Sequence, residues 1–384
     1  MDFGLSPEQQ LLQTTLREFS TRELLPEYQS RDRDQDLPSA LVRKLGNMGI
    51  LAPMVPAANG GSALDFVSLG IAHEEIARGD FNAAYVLLIA ALVGSIIARS
   101  ADERQQSEFL PPICRGDVIA ALAVTEPSGG SDAAQVKLAA RRDGDHYVLD
   151  GEKTSISFSS SAATALVMAR TGTLEQGAHG VTAFYVDLNS SGVSRTRFRD
   201  LGSRAIGRGS IFFDAVRVPA AARVGAEGAG FIQVMQGFDF SRSLIGLMCI
   251  GAAEQSVEET CAYVAGRDAF GGSLARFEGV SFPLAEAAVE LRAARLLCYE
   301  ALWLRDRGQA HGWIAAGAKW LAPELCARVL HQCLLLHGHM GFSLELPHQQ
   351  RMRDVIGLEI GDGTAQIMKL LVAREIIGKT ARPY

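Results

Sequence analysis

The hydrophobic pattern of the first third of the chain is typical of helices. In the stretch LSPEQQLLQTTLREF at 5–19, apolar residues recur three or four positions apart, so one side of a helix would be apolar. Ser6 suits the N-cap of this helix, and Pro7 suits its first position. A further helical stretch is expected from Leu64 to Ala77. The pattern therefore predicts a helical unit in this part of the chain.

The longest apolar run occupies residues 83–98 and is closed by Asp80 and Arg99. Its 16 residues fall short of the roughly 20 that a membrane span requires. The run therefore predicts a buried core helix, and no membrane association is expected.

The period of the pattern changes in the middle of the chain. Short segments rich in β-branched and aromatic residues follow one another, separated by turns of Gly, Asn, Asp and Ser, as is typical of strands. The clearest of these segments are 146–158, 163–171, 180–188 and 209–219. We expect a compact β-domain here.

Helical spacing returns after Gly230. Three long segments predict antiparallel helices of a bundle, and a last helix is expected after Gly363. The long segments are 231–266, 283–308 and 312–336. The predicted fold class is therefore α+β and multidomain. It comprises an N-terminal helical domain at 1–117, a middle β-barrel or sandwich domain at 118–229, and a C-terminal four-helix bundle at 230–384.

The composition and charge of the chain indicate which class of partner the protein binds. The 384 residues carry a net charge of -6, from 43 acidic and 37 basic residues without long single-sign blocks. No electrostatic footprint for nucleic acid or an anionic membrane is present, so a small-molecule partner is expected. The six cysteines lie far apart, without the spacing of a zinc site or a disulfide framework. With no recognisable leader in the first residues, a cytoplasmic location is predicted.

A glycine-rich segment stands between the helical unit and the β-domain. Residues 123–132 read Ala-Val-Thr-Glu-Pro-Ser-Gly-Gly-Ser-Asp. Such a turn lets backbone N–H groups approach an anionic or electron-rich ligand closely. An ordinary turn before a strand has the same composition, so this segment alone is not decisive.

Two acidic positions in the predicted C-terminal domain also suggest a site. Asp239 and Arg242 are spaced i, i+3, which places both on one face of a helix within pairing distance. Apolar neighbours favour a partly buried pair over a solvated one. Asp362 stands between two glycines, in Ile360-Gly-Asp-Gly-Thr-Ala-Gln366, a pattern that locally suits a turn equally well.

These segments, taken in order, resemble those of the FAD-dependent acyl-CoA dehydrogenase family. Further matching segments are Arg-Asp-Ala-Phe-Gly at 267–271 and His-Gly-His-Met-Gly at 337–341. The likeness runs from LSPEQQLL near the N-terminus to LLVAREIIG near the C-terminus. The resemblance implies an enzyme that removes two hydrogens across the Cα–Cβ bond of an acyl-CoA thioester.

The resemblance also implies the cofactor contacts. Thr125 would contact the pyrimidine edge of the flavin, and Ser131 would lie near the FAD phosphate or the CoA. Ser155 and Ser157 would face the flavin ring, with Ser157 near the reactive N5. Many family members carry tryptophan where this chain has Ser155, so a bulky cover of the ring is missing.

Other contacts are implied at subunit boundaries. Arg267, Phe270 and Gly338 resemble residues that reach the FAD of a neighbouring subunit, which implies at least a dimer and in the family a homotetramer, a dimer of dimers. Thr364 and Gln366 would contact FAD as well. No metal site is predicted, because no cysteine or carboxylate cluster accompanies the two histidines at 337–339.

By the same resemblance, Asp362 is the catalytic base, while Asp239 and Arg242 hold the CoA arm together with Ser131. The base would take the α-proton while the thioester carbonyl accepts hydrogen bonds from the flavin ribityl chain and the backbone, and the β-hydrogen would leave as hydride to flavin N5. The expected acceptor of the electrons is an electron-transferring flavoprotein.

The substrate is left open by the sequence. Aspartate is one methylene shorter than the family's usual glutamate, a retreat of about 1.5 Å, and Ser155 also suggests a roomier pocket. We therefore expect an alicyclic substrate such as cyclohexanecarboxyl-CoA. The alternatives are a short, branched or medium linear acyl-CoA, a nitroalkane-oxidase-like activity, and a flavin-binding subunit without catalysis.

Overall fold

The N-terminal third is helical, as predicted. The structure is a computed structural model that describes residues 4–378, 380 and 381. A capping box starts the first helix, because the Ser6 hydroxyl accepts from the Gln9 N–H at 3.2 Å and the Gln9 side chain accepts from the Ser6 N–H at 3.1 Å. The helices are α1 (Pro7–Phe19), α2 (Tyr28–Asp34), α3 (Ser39–Asn47), α4 (Phe66–Gly79), α5 (Phe81–Ser100) and α6 (Glu103–Cys114).

Helix α5 is the core helix that the apolar run predicts. Its 20 residues are long and apolar enough to cross a membrane, yet 89% of its most apolar stretch is buried inside the protein. Asp80 caps it by accepting hydrogen bonds from the N–H groups of Asn82 and Ala83. Burial all round explains why this helix has no polar face.

The middle of the chain forms one mixed sheet within the described residues. Its strands are β1 (Ala120–Ala123), β2 (Ala139–Asp143), β3 (His146–Ile156), β4 (Thr164–Arg170), β5 (Val181–Asp187), β6 (Val193–Arg195), β7 (Gly209–Pro219) and β8 (Arg223–Val224). Their order is β6-β7-β3-β2-β4-β5-β8, and β1 pairs with β4 in parallel. All four segments predicted as strands are strands.

The C-terminal part is a helical bundle with a small hairpin. Its elements are α7 (Gly230–Gly266), β9 (Asp268–Ala269), β10 (Gly272–Ser273), α8 (Glu278–Asp306), α9 (Gly312–Leu336), α10 (His348–Ile360) and α11 (Ala365–Ile377). The three long helices and the last helix are confirmed. The sequence did not predict α10, whose buried side includes His348, Gln350, Arg351 and Asp354, so its hydrophobic period is weak.

One carboxylate joins the three parts of the chain. Asp354 of α10 accepts hydrogen bonds from the Tyr28 hydroxyl at 2.6 Å, from the Asn82 amide at 3.2 Å and from the backbone N–H of Ser203. Burial raises the pKa of Asp354 to about 7. Because these partners lie on α2, on α5 and before β7, Asp354 fixes how the sheet sits against the helices around the site.

Candidate active site

Asp362 lies in the short connection between α10 and α11. Its backbone is left-handed, with φ of 56°, and that of Gly363 is too, with φ of 100°, a conformation that costs an aspartate free energy. The residue is half-buried, and its Oδ2 atom is fully buried without a hydrogen-bond partner among the described residues. Burial raises the pKa of the carboxyl, against the opposing charges of Lys319 and Arg242.

Lys319 of α9 holds this connection. Its side chain is 1% exposed, and its ammonium donates to the carbonyl oxygens of Leu358 at 2.6 Å and Gly363 at 2.7 Å. Burial lowers the pKa of Lys319 to about 8, while Asp362 opposes that shift. The sequence analysis missed Lys319, although a lone lysine within the apolar stretch Ile-Ala-Ala-Gly-Ala-Lys-Trp-Leu-Ala of α9 was an available signal.

The predicted pair of Asp239 and Arg242 forms. Arg242 Nη1 lies 3.3 Å from Asp239 Oδ1 in the first half of α7. The Arg242 side chain is 10% exposed and that of Asp239 is 43% exposed, so the pair spans the boundary between core and surface. Burial lowers the pKa of Arg242, and Asp239 and Asp362 oppose this. Arg242 therefore connects the predicted substrate-binding acid with the predicted base.

Tyr85 of α5 brings a second predicted segment to Asp362. Burial raises the pKa of the Tyr85 phenol, and the charge of Asp362 adds to that rise. Phe158, the residue after Ser157, packs edge-on against the Tyr85 ring, with ring centres 6.4 Å apart, and Ser157 lowers the pKa of the phenol. Tyr85 was not predicted as a site residue, because a tyrosine in an apolar helix reads as core. Through it, all three parts of the chain meet at Asp362.

Ser155 lies on a bulge. The pairing of β3 with β7 shifts register between Lys153 and Ile156, and Ser155 there has φ of 59° and is exposed. A bulge inserts an extra residue and re-aims the side chains beside it. The bulge therefore leaves Ser155 exposed at the end of β3, two residues before the partly buried Ser157.

The glycine-rich segment forms a tight turn that buried hydrogen bonds of Lys153 and Glu126 hold in place. Lys153, with its side chain fully buried, donates to the carbonyl of Val124 and to Oε1 of Glu126, both at 2.8 Å. Glu126 also accepts from two backbone N–H groups, of residues 137 and 138. Thr125 accepts a hydrogen bond from the Thr154 N–H at 2.9 Å, which ties it to the strand before Ser155. Residues 127–131, including Ser131, are exposed.

The predicted contacts after Asp362 lie at the start of α11. Thr364 is the N-cap of that helix, and its hydroxyl accepts from the Ile367 N–H at 3.4 Å. Gln366 is exposed in the first turn. Both therefore lie within four residues of Asp362, the predicted base, in the same chain.

Arg267, Phe270 and Gly338 lie at the other end of the bundle. Arg267 follows Arg242 by 25 residues along α7, a distance of about 37 Å at the rise of an α-helix. The loop with Gly338 reaches the same end, because His337 stacks on Tyr263 with ring centres 4.4 Å apart. Phe270 is 94% exposed. Within one chain, this group is remote from Asp362.

Comparison with known proteins agrees with this geometry. Family models for the N-terminal, middle and C-terminal domains of acyl-CoA dehydrogenases match residues 6–117, 121–216 and 228–377. The chain belongs to the acyl-CoA dehydrogenase family. It is 33% identical over 371 residues to the mitochondrial short-chain specific acyl-CoA dehydrogenase of Mus musculus, covering 96% of this chain and 90% of that relative.

Two solved structures share the fold over nearly the whole length. The butyryl-CoA dehydrogenase of Megasphaera elsdenii superposes with a TM-score of 0.94 at 29% identity, covering 98% of this chain and 100% of that chain. A glutaryl-CoA dehydrogenase of Mycobacterium smegmatis in complex with FADH2 superposes with a TM-score of 0.92 at 27% identity, covering 99% and 97%. Like its relatives, this chain is an acyl-CoA dehydrogenase, and the family depends on FAD.

The residues of this acyl-CoA dehydrogenase suit that cofactor. A Cβ added at Gly129 would meet nothing within 4 Å, so the turn at 127–131 leaves backbone open to a ligand. The buried Oδ2 of Asp362 is unpartnered among the described residues, which is costly unless a bound molecule covers it. Arg267 forms no ion pair in the part of the chain described, so its guanidinium is free for a phosphate.

Proposed function

We propose that Asp362 is the base that removes the α-proton of an acyl-CoA thioester. The observation that carries this proposal is the buried, unpartnered Oδ2 atom at the point where α5, β3 and α10 converge. A carboxylate that is desolvated and lacks a hydrogen-bond partner is a stronger base than one in water.

Burial and the neighbouring charges shift the pKa of Asp362 in opposite directions. Burial raises the pKa of the carboxyl, whereas Lys319 and Arg242 lower it. Complete desolvation without these cations would keep the acid protonated and unable to accept a proton. The two cations therefore keep the carboxylate ionised at working pH, while burial keeps it basic enough to take a proton from a carbon acid.

The other residues position the substrate. Asp239 and Arg242 bind the CoA arm, and the backbone at 362–364, held by Lys319, presents the base to the α-carbon. FAD, held by Thr125, Ser131, Ser155, Ser157, Thr364 and Gln366, supplies the acceptor for the hydride that leaves the β-carbon. Loss of the proton to Asp362 and of the hydride to that acceptor leaves a Cα–Cβ double bond.

A second copy of the chain completes the cofactor site in this proposal. Arg267, Phe270 and Gly338 lie about 37 Å along α7 from Arg242, so they reach FAD only from a neighbouring subunit. Exposed phenylalanines lie on or near these segments, namely Phe270, Phe277, Phe282 and Phe342, and the rings of Phe270 and Phe277 lie 6.1 Å apart. Exposed apolar side chains of this kind suit burial between copies, and we propose a homotetramer built as a dimer of dimers.

The acyl group is proposed to be short or cyclic. Short-chain and butyryl-CoA relatives favour a short linear or branched chain, whereas the short Asp362 side chain and the small Ser155 favour a ring at the α-carbon. A nitroalkane-oxidase-like activity is disfavoured by the ion pair of Asp239 with Arg242, which suits a CoA arm. An electron-transferring flavoprotein is the proposed acceptor of the electrons.

Anaerobic bleaching of the bound flavin by a panel of acyl-CoAs tests this function. Bleaching by at least one cyclic, branched or linear acyl-CoA is expected, and Asp362→Asn should abolish it while the protein stays folded and yellow. Glu359→Gln, a half-buried carboxyl three residues away on α10, is the matched control and should bleach normally. A yellow protein that no acyl-CoA bleaches would instead support the non-catalytic subunit.

A further inference from the structure

Two arginines from different parts of the chain approach Asp239. Arg99 lies at the end of α5, and Arg305 lies at the end of α8. Arg305 lies 4.8 Å from the ring centre of Phe240, the neighbour of Asp239, and Ile96, one turn before Arg99, lies beside Gly237. The charge of Asp239 accordingly acts on both guanidinium groups. The cluster therefore lies where the N-terminal helices meet the bundle, beside the ion pair of Asp239 with Arg242.

Arg305 is held by aromatic rings. Its guanidinium carbon lies 4.4 Å from the centre of the Phe66 ring and 4.8 Å from that of Phe240, which fixes the plane of the group by cation–π contact. Its Nη1 lies 3.3 Å from Nε2 of His311. Its Nε is buried and has no hydrogen-bond partner in the described chain. Arg305 is thus rigidly placed with donors unused.

The cluster has more positive charge than its acids neutralise. Within the residues that the structure describes, neither Arg99 nor Arg305 forms an ion pair. Asp239 pairs with Arg242 at 3.3 Å, and Asp306 accepts hydrogen bonds from the backbone N–H groups that start α4. Burial and repulsion from Arg99 lower the pKa of Arg305 to about 10. Two like charges held together in this way favour an anion between them.

The positions of these arginines beside α7 indicate which part of a ligand would lie at this cluster. Arg305 packs on Phe240, and Ile96, one turn before Arg99, lies beside Gly237 of the same helix α7. Ala318, the neighbour of Lys319, instead lies beside Gly246, further along α7. The two arginines therefore lie at the Asp239 end of α7, away from the lysine that holds the connection carrying Asp362. An anion bound there is remote from the reacting carbon of the substrate.

We propose that Arg99 and Arg305 bind the phosphate of the phosphopantetheine arm that carries the acyl group. The proposal rests on the proposed function, because it takes the substrate to be a thioester of that arm. Guanidinium groups bind phosphate through short, paired, charge-assisted hydrogen bonds. The same arm occurs in CoA and on carrier proteins, so the phosphate is the shared chemistry and its source is left to the experiment.

Calorimetric titration of the FAD-loaded protein with pantetheine, pantetheine 4′-phosphate and CoA tests the subsite. The variants are Arg305→Gln, Arg99→Gln, the double variant and Arg305→Lys. Arg307→Gln is the matched control, since Arg307 is exposed two residues further along and lies over Trp303, 3.7 Å from the ring centre. Wild type should prefer the phosphorylated arm, and each glutamine variant should lose about tenfold of that preference.

Three outcomes would overturn the subsite. If Arg305→Gln weakens the binding of pantetheine and of pantetheine 4′-phosphate equally, Arg305 has only a structural role. If the double variant still prefers pantetheine 4′-phosphate over pantetheine, the phosphate binds elsewhere. If Arg307→Gln loses as much of that preference as the other variants, the effect comes from the overall positive charge of the surface and not from a specific site. Arg305→Lys should keep part of the preference, because it keeps the charge but loses the paired geometry.

The same titrations separate the two sources of the arm. Equal affinity for CoA and pantetheine 4′-phosphate would support the subsite and a carrier-protein arm, because the nucleotide would add nothing. Tighter binding of CoA than of pantetheine 4′-phosphate, with the preference for the phosphorylated arm over pantetheine still lost in the double variant, would support the subsite and free CoA. These binding results do not require turnover, so a failure of flavin bleaching would affect the proposed function alone.

Discussion

The buried ammonium of Lys319 donates a hydrogen bond to the carbonyl oxygen of Gly363 at 2.7 Å, directly beside Asp362. A second bond, to the carbonyl of Leu358, anchors the end of α10 in the same way. The connection between the two helices is therefore fixed at both ends by one side chain. Since Asp362 has a left-handed backbone, this anchoring offsets the cost of that conformation.

Lys319→Met should slow catalysis and change its pH dependence. The variant leaves two carbonyls without their buried donor, which should cost about 1 to 3 kcal/mol of unfolding free energy. It also removes a cation that lowers the pKa of Asp362, so the pKa of the base should rise. The acidic limb of the kcat profile should then move to higher pH, measured with the best acyl-CoA of the panel.

A suitable control for Lys319 is Lys369→Met. Lys369 is exposed on α11, over the Trp320 ring at 4.6 Å from its centre, and its loss should leave the pH profile unchanged. A Lys319→Met enzyme that is less stable but has an unchanged acidic limb would mean that Lys319 has only a structural role.

Asp362→Glu tests the proposed fit to a ring. The longer side chain pushes the carboxylate about 1.5 Å further toward the substrate, so a cyclic acyl-CoA should clash and react more slowly. A linear acyl-CoA should be tolerated. The measurement is the ratio of kcat/KM for cyclic over linear substrates, and an unchanged ratio would remove the argument for a ring while leaving the base assignment intact.

Arg267→Ala should weaken FAD binding from a distance. The variant removes a guanidinium that we propose contacts the cofactor of a neighbouring subunit, and loss of such a charge-assisted bond should lower the affinity for FAD about tenfold. FAD occupancy after gel filtration and the oligomeric state by light scattering are the readouts. Arg276→Ala is the control, because Arg276 lies three residues after the same hairpin and donates to the Gly271 carbonyl at 3.4 Å. Full FAD occupancy in Arg267→Ala would contradict the shared site.

Asp354→Asn should flatten the pH dependence of stability. Burial raises the pKa of Asp354 to about 7 in the folded protein, above its usual value of 3.8. Between these values the folded state binds more protons than the unfolded state, so unfolding free energy falls as pH rises, by at most about 1.4 kcal/mol per pH unit. In Asp354→Asn the unfolding free energy should therefore not fall in this way as pH rises. Denaturation at pH 4 to 7 measures it, with exposed Asp36→Asn as control.

The sequence by itself determined the order of helical, sheet and helical parts and the register of the motifs. Helical period and strand period are local properties of the chain, so the pattern sufficed to predict the strands and the long helices. The pattern also paired Asp239 with Arg242, because an i, i+3 spacing fixes their proximity within one helix. Asp362 was singled out by the resemblance of its segment to the family, and not by the local pattern, which suits a turn equally well.

Only the tertiary structure decided which distant residues act on those motifs. Lys319 and Gly363 are 44 residues apart in the chain, and Tyr28 and Asp354 are 326 apart. No local hydrophobic period encodes such contacts. A lysine or tyrosine in an apolar helix gives the same sequence pattern whether it only packs in the core or faces a site. Their roles follow from burial, because a charge without water must find a partner wherever the fold places one.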